Sequence, residues 1–323
     1  MARLNPTHIF LDVNLSCNLR CVQCAIYELK NPPNSLTDEE RCSVVRQIAD
    51  WDASIPLVIT GGEQFIDRSA LRAVAQNCKD HGVFATLSTN GTLIKEDDAN
   101  WIVNSGIRCA VVSFDSFRPE IHDRIRGIPG TWERALRGLR HLLKARDAVQ
   151  NGFTVLTSTI LGDHNLHEMD SMTDWLWSLG VDNTLYQPLQ PDFVRHLPQD
   201  WYLRSELWPR DKSKIDTGID LLKNRLAAGE RIYQRPNQFE DIRLYFHNPV
   251  ELPESICASL DNNLMVDVIG QVRFCFHMEK LGLPVAGNVR THSLRQLWEA
   301  RHNIAPAMKN CRLGCGSMIC HAR

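Results

Sequence analysis

The sequence predicts an α/β protein: a parallel sheet covered by helices, followed by a small C-terminal extension of a β-hairpin, a helix and cysteines. Three observations carry this. Strand-like and helix-like patterns alternate through the first two-thirds of the chain, with roughly 25 to 45 residues per βα unit. The amphipathic segments open on helix-start signals, and the cysteines gather at the two ends of the chain.

The strands fall at 8–14 (HIFLDVN), 56–60 (PLVIT), 83–88 (VFATLS), 109–114 (CAVVSF), 153–160 (FTVLTSTI) and 183–188 (NTLYQP). Each is a strand-like run, and the first is apolar and β-branched. Between them, Thr37 precedes Asp38-Glu39-Glu40 and Thr131 precedes WERALRGLRHLLKAR, both helix N-terminus signatures. Six βα units imply a parallel sheet with its sites at the C-terminal strand ends. Residues 191–252 carry prolines at 191, 198, 209, 236 and 249 and read as a bridge with one helix at 215–229, closing one side of the sheet. In DNNLMVDVIGQVRFC (261–275), alternating residues around Gly270 predict a hairpin. The division that follows is 1–190, 191–252 and 253–323.

Composition sets limits on function. At 323 residues and 43% hydrophobic content the chain buries a large core. Thirty-six basic against 38 acidic residues leaves no electrostatic footprint for a nucleic-acid or anionic-membrane partner. No apolar run reaches the length of a membrane span, and His8 and Asp12 interrupt the N-terminal apolar stretch that export would need. Eleven cysteines clustered at the ends fit metal ligation in a reducing compartment better than disulfides, so a cytoplasmic location is expected.

The most informative cysteines are Cys17, Cys21 and Cys24, in the run CNLRCVQC after the first strand. Thiolates are the ligands iron-sulfur clusters prefer, and a cubane has four irons, so three thiols leave one iron open. A zinc site would want a fourth ligand nearby. The spacing Cys-x3-Cys-x2-Cys resembles the radical S-adenosylmethionine (SAM) superfamily. That resemblance implies a partial (β/α)6 TIM-like barrel, with the cluster loop after strand one and SAM on the open iron. It also implies site residues. TGGEQF at 60–65 resembles the family's GGE motif, with Gly61, Gly62 and Glu63 holding the methionine amino group of SAM; Gln64 stands where proline is usual. Paired glycines let the backbone approach a ligand closely. Ser88 and Asn90 of STNG, and Ser113 and Asp115 of VSFDS, end the third and fourth strands, where look-alike enzymes contact the SAM carboxylate and ribose. Arg126 of IHDRIRG is the candidate partner of the SAM carboxylate, with a surface ion pair as the alternative. Ser158 and Ile160 fall where relatives contact ribose and adenine. Gln23 replaces the aromatic residue usual before the third cysteine, and Tyr27 is the substitute ring.

Cys257, Cys275, Cys311, Cys315 and Cys320 form the second set. With GNV at 287–289 and SLRQLW at 293–298 it resembles the SPASM and twitch extensions, which bind auxiliary 4Fe-4S clusters; five cysteines suffice for one. Cys257, Cys275, Cys311 and Cys315 are the favoured ligands, with Cys320 a replacement ligand or a hydrogen-atom donor. Structural zinc is the alternative. Cys42, Cys78 and Cys109 read as small buried hydrophobes, and His277 and His321 as incidental neighbours of cysteines.

The resemblance implies reductive cleavage of SAM to a 5′-deoxyadenosyl radical, hydrogen abstraction from the substrate, and a flavodoxin- or ferredoxin-type electron donor. The expected substrate is small and polar, such as a sugar, aminocyclitol or nucleoside, undergoing epimerisation or dehydrogenation. The first strand begins by residue 8, which leaves no leader-binding segment before it and favours that class. Modification of a peptide or protein side chain is the second expectation. A non-enzymatic electron carrier or redox sensor is the third, and it predicts no SAM turnover.

Overall fold

The computed structural model describes residues 4–196, 198–250, 259–279 and 282–308. Cys257, Cys311, Cys315, Cys320 and His321 therefore lie outside the described residues.

Among the described residues nine strands form one sheet in the order β6-β5-β4-β3-β2-β1-β7-β8-β9. β1 (His8–Asn14), β2 (Leu57–Gly61), β3 (Ala85–Thr89), β4 (Ile107–Ser113), β5 (Thr154–Leu161) and β6 (Asn183–Pro188) run parallel, as expected for a partial TIM-like barrel. Helices cross over between them: α1 (Asp38–Asp52), α2 (Arg68–His81), α3 (Glu96–Asn104), α4 (Pro119–Arg126), α5 (Thr131–Asp147) and α6 (Met169–Ser178). Strand burial alternates in step with the pleat. One row, including Ile9, Leu11, Ile59, Leu87 and Val155, is fully buried beneath the helices. The other row, including Asp12, Thr60, Ser88, Ser113, Ser158 and Gln187, is half-buried and lines the opposite, concave face.

The start of α1 follows the sequence chemistry, whereas α5 begins at Thr131 after a left-handed Gly130 and has no side-chain cap. Thr37 Oγ1 accepts from Glu40 N at 3.2 Å while Glu40 Oε2 accepts from Thr37 N at 2.8 Å, a reciprocal cap worth about 1 kcal/mol. Cys42, Cys78 and Cys109 are buried in the described core.

Residues 191–252 hold more helix than their prolines suggested. After the short α7 (Trp201–Arg204) come α8 (Lys212–Ala227) and α9 (Pro236–His247). Pro236 occupies the first turn of α9, where its missing N–H costs nothing. A parallel bridge between Ile232 and Thr184 lays the α8–α9 connection against β6. Trp208 packs edge-on against Tyr245 and Phe246, at 5.1 and 5.3 Å, which ties the segment before α8 to α9.

The hairpin lies about Gly270 (φ 83°), as the alternation indicated. Its first strand, β7 (Asn263–Val266), also pairs in parallel with β1, so β7, β8 (Gln271–Arg273) and β9 (Gly287–Asn288) continue the barrel sheet. The preceding α10 (Ser259–Asn262) leads into it, and α11 (Leu294–Glu299) and α12 (Arg301–Met308) follow. Trp298 Nε1 donates to Leu4 O at 3.0 Å, and Arg290 reaches both oxygens of Glu40, at 2.5 and 3.0 Å. Among the described residues no helix is long and apolar enough to cross a membrane.

Candidate active site at the strand ends

β1 ends at Asn14, and the chain turns into the loop of Cys17, Cys21 and Cys24, all half-buried and free of disulfides. Burial pushes all three thiols up, Cys24 to about 12, so thiolates form there only when a cation compensates. Cys17 and Cys24 each lie close enough to Cys21 to feel its charge. Yet no three metal-binding side chains among the described residues converge tightly enough to hold a single ion.

The loop is held from three sides. Gly62 N donates to Asn14 O and Glu63 N to Ser16 O, both at 2.8 Å. A Cβ at Gly61 would lie 2.2 Å from Asn14 O, and one at Gly62 2.1 Å from Ser16 O. The paired glycines thus admit the stem of the cysteine loop.

Glu63 is fully buried. Its carboxylate accepts from Thr89 Oγ1 and Asn90 N at 2.8 Å and from Phe65 N at 3.3 Å, and burial raises its pKa against these bonds. Its carboxylate is thus committed to the end of β3. From there Asn90 Nδ2 donates to Asn18 Oδ1 at 2.9 Å, and Asn18 Nδ2 to Thr92 Oγ1 at 2.8 Å. Asn18 sits between the first two cysteines, so the STNG segment fastens the loop itself.

The third side is the end of α4. Arg20 N donates to Arg126 O at 3.1 Å and Val22 N to Ile125 O at 2.9 Å. Gly127, left-handed at φ 73°, lets Arg20 O approach to 2.0 Å of where a Cβ would stand. Arg126 is buried, and its guanidinium meets Asp115 Oδ2 at 2.8 Å. The pair is interior, which corrects the surface alternative. Burial opposes the charge on Arg126, but Asp115 and Cys21 beside it hold its pKa above the ordinary value. Asp115 Oδ1 also accepts from Ile160 N at 3.1 Å, which ties the ends of β4 and β5 together.

Ser113 and Ser158 are register partners on the concave face. Ser88 and Ile160 are half-buried on the same face. Tyr27 lies under Arg20, 4.7 Å from its guanidinium, and accepts from Arg195 at 3.1 Å. Beyond β6, buried Asp192 is close enough to be felt at Cys24, and neighbouring Phe193 stacks on His277 at 5.0 Å, two residues from buried Cys275.

Sequence reasoning missed Asn14, Asn18, Thr89 and Thr92; short amides and hydroxyls flanking the cysteines and the strand end were the available signal. It also used Asp12 only as a break in an apolar run. Asp12 is half-buried on the concave face beside Asp267 and Arg273, and its pKa is raised to about 7 by burial first and Asp267 second, with Arg273 opposing.

Residues 13–176 match the Radical SAM superfamily, just over half of the chain, and the chain belongs to that superfamily. It is a radical SAM enzyme of the kind that carries SAM and a 4Fe-4S cluster. A curated relative, AdoMet-dependent heme synthase of Methanosarcina barkeri, is 27% identical over 91% of this chain and 82% of its own. Among solved structures, Streptococcus suis SuiB bound to precursor peptide SuiA matches 98% of this chain and 71% of its own at TM-score 0.72 and 13% identity. Native anSMEcpe with bound AdoMet matches 92% and 82% at TM-score 0.66 and 16% identity. These two likenesses are of fold.

Proposed function

We propose that this chain uses a SAM-derived radical to abstract a hydrogen atom from a small polar substrate, for dehydrogenation or epimerisation. The observation that carries this is the concave face: Asp12, Thr60, Ser88, Ser113, Ser158 and Gln187 give it hydrogen-bonding side chains on six strands. When bound, SAM and a cluster on Cys17, Cys21 and Cys24 supply the 5′-deoxyadenosyl radical. The chain's own residues position the reactants. With SAM bound, the Gly61–Gly62 backbone would lie beside it, Ser113 and Ser158 would offer hydroxyls to its ribose, and Ser88 and Asn90 would face its carboxylate. Asp115 and Arg126 fix the loop from behind. The Methanosarcina relative is named for heme, which is not a peptide, and this also favours a small molecule.

An auxiliary 4Fe-4S cluster on Cys275 with Cys257, Cys311 and Cys315 is part of the proposal, with Cys320 as the thiol left for hydrogen-atom donation. So are a flavodoxin- or ferredoxin-type donor, a cytoplasmic location, and a division at 1–190, 191–252 and 253–323. Peptide modification is the second reading, favoured by the likeness to the peptide-bound fold of SuiB.

Anaerobic reconstitution followed by assay of 5′-deoxyadenosine tests the proposal, with Cys21→Ala expected to yield none. A panel of aminocyclitols, nucleosides, iron porphyrins and peptides then sorts substrate class by which compound raises 5′-deoxyadenosine and changes mass. Stimulation by peptides alone would sink the small-molecule reading. Solvent deuterium incorporated at carbon marks epimerisation, and its absence with a two-hydrogen mass loss marks dehydrogenation.

A further inference from the structure

The end of α4 places a buried cation against the middle cysteine of the loop. Arg126 is buried, lies against Cys21, and meets Asp115 at 2.8 Å. Backbone bonds from Arg20 and Val22, the residues flanking Cys21, to Arg126 O and Ile125 O fix that approach independently of the side chain. The guanidinium Nε, fully buried, has no hydrogen-bond partner, so the side chain holds donor capacity beyond its ion pair. Asp115 is fixed in turn by Ile160 N.

We propose that Arg126 is a positioning residue that sets the reduction potential of the cluster held by Cys17, Cys21 and Cys24, through its charge and hydrogen bonding at Cys21, with Asp115 as the counterweight that limits the effect. The inference rests on the loop binding a cluster, as proposed above. The physics is a charge balance. Reduction adds one electron to the cluster, and a buried cation at a ligating sulfur favours the more negative, reduced form. Hydrogen bonds from outside the ligand set act in the same direction. Asp115 opposes both, so the two residues have opposite signs of effect although they form one ion pair. Partial compensation also keeps Arg126 buried, since a lone buried guanidinium would be costly.

The test is an EPR-monitored redox titration of the reconstituted protein without SAM, alongside iron content per chain and a thermal melt. Arg126→Gln is expected to lower the potential by about 59 mV, a tenfold change for a one-electron couple. Asp115→Asn is expected to raise it, and Arg126→Lys, which keeps the charge, to restore most of the wild-type value. If Arg126→Gln binds iron normally and keeps the wild-type potential, the inference fails. It also fails if Arg126→Gln and Asp115→Asn shift the potential in the same direction, because simple loosening of the loop moves both alike. Should Arg126→Gln lose iron, the Asp115→Asn and Arg126→Lys values still decide. Wild-type protein that takes up no iron in this loop sinks the cluster reading and the inference together, whereas unequal iron with equal potentials sinks only the inference.

Discussion

Glu63 and Asn90 are joined across the ends of neighbouring strands: the Glu63 carboxylate, wholly inside the protein, accepts the Asn90 backbone N–H at 2.8 Å. Thr89 and Phe65 supply its other donors, and Asn90 carries the connection on to Asn18 between two cysteines. One carboxylate thus holds two strand ends and the cysteine loop in register. Glu63→Gln keeps the size but turns one acceptor into an NH2 that opposes these donors. A loss of about 1–3 kcal/mol is expected in urea unfolding, with iron uptake slowed. Unchanged stability would mean that the buried carboxylate is not holding the strand ends.

Gly62 tests the close approach of two backbones. A methyl group there would stand 2.1 Å from Ser16 O, a backbone atom that moves only if the cysteine loop moves with it. Gly62→Ala is therefore expected to cost about 1–3 kcal/mol and to cut iron per chain by more than half. Gly82, with open space around its Cβ position, is the control site, although its left-handed φ of 69° makes alanine mildly strained. Iron content should be normal in Gly82→Ala.

Asp12 makes stability depend on pH in a direction opposite to most carboxylates. Its folded pKa is about 7, above the ordinary 3.8, because burial and Asp267 disfavour its charge. The folded state therefore holds a proton that the unfolded chain releases, and its contribution to stability falls as pH rises from about 4 to 7, then levels off. Asp12→Asn removes that dependence. Its stability relative to wild type should rise across this range and reach at most a few kcal/mol, reduced because Asp12 is only half-buried. Thermal melts of both proteins at pH 5 and 8 check this; an equal difference at the two values would refute it.

The elements that sequence exposes are those decided locally. Strand-like runs placed all six barrel strands to within two residues, because alternation and turn residues act over a few positions. Cys-x3-Cys-x2-Cys was legible for the same reason, being one loop. What stayed hidden depends on partners far along the chain. β7 pairs with β1 across some 250 residues, and nothing in NLMV names that neighbour. Gly61 and Gly62 were recognisable as a close approach, but not that Asn14 and Ser16 approach them. PNQFEDIRLYFH was passed over as proline-rich although Pro236 opens its helix. Arg126 read as a side chain for ligand or solvent because only the folded chain brings Asp115 and Cys21 to it.

The extension is fastened to the barrel by Arg290, which spans Glu40 Oε1 and Oε2 and also donates to Asn34 O at 3.1 Å. Glu40 simultaneously caps α1, and the Arg290 guanidinium, with the Thr37 amide, holds its pKa down to about 2. Both partners are about one-third exposed, so the pair is worth about 1 kcal/mol, weakened by salt. Arg290→Ala should leave the barrel strands unchanged and raise amide exchange in β9 and α11 by about fivefold, the equivalent of that energy. High salt should raise exchange in the wild type toward the variant's rate and leave the variant nearly unaffected. Glu40→Gln should reproduce part of the effect, because it removes the charge but keeps an acceptor for the Thr37 amide. If exchange rises equally in β1 to β6, Arg290 stabilises the whole fold rather than the junction.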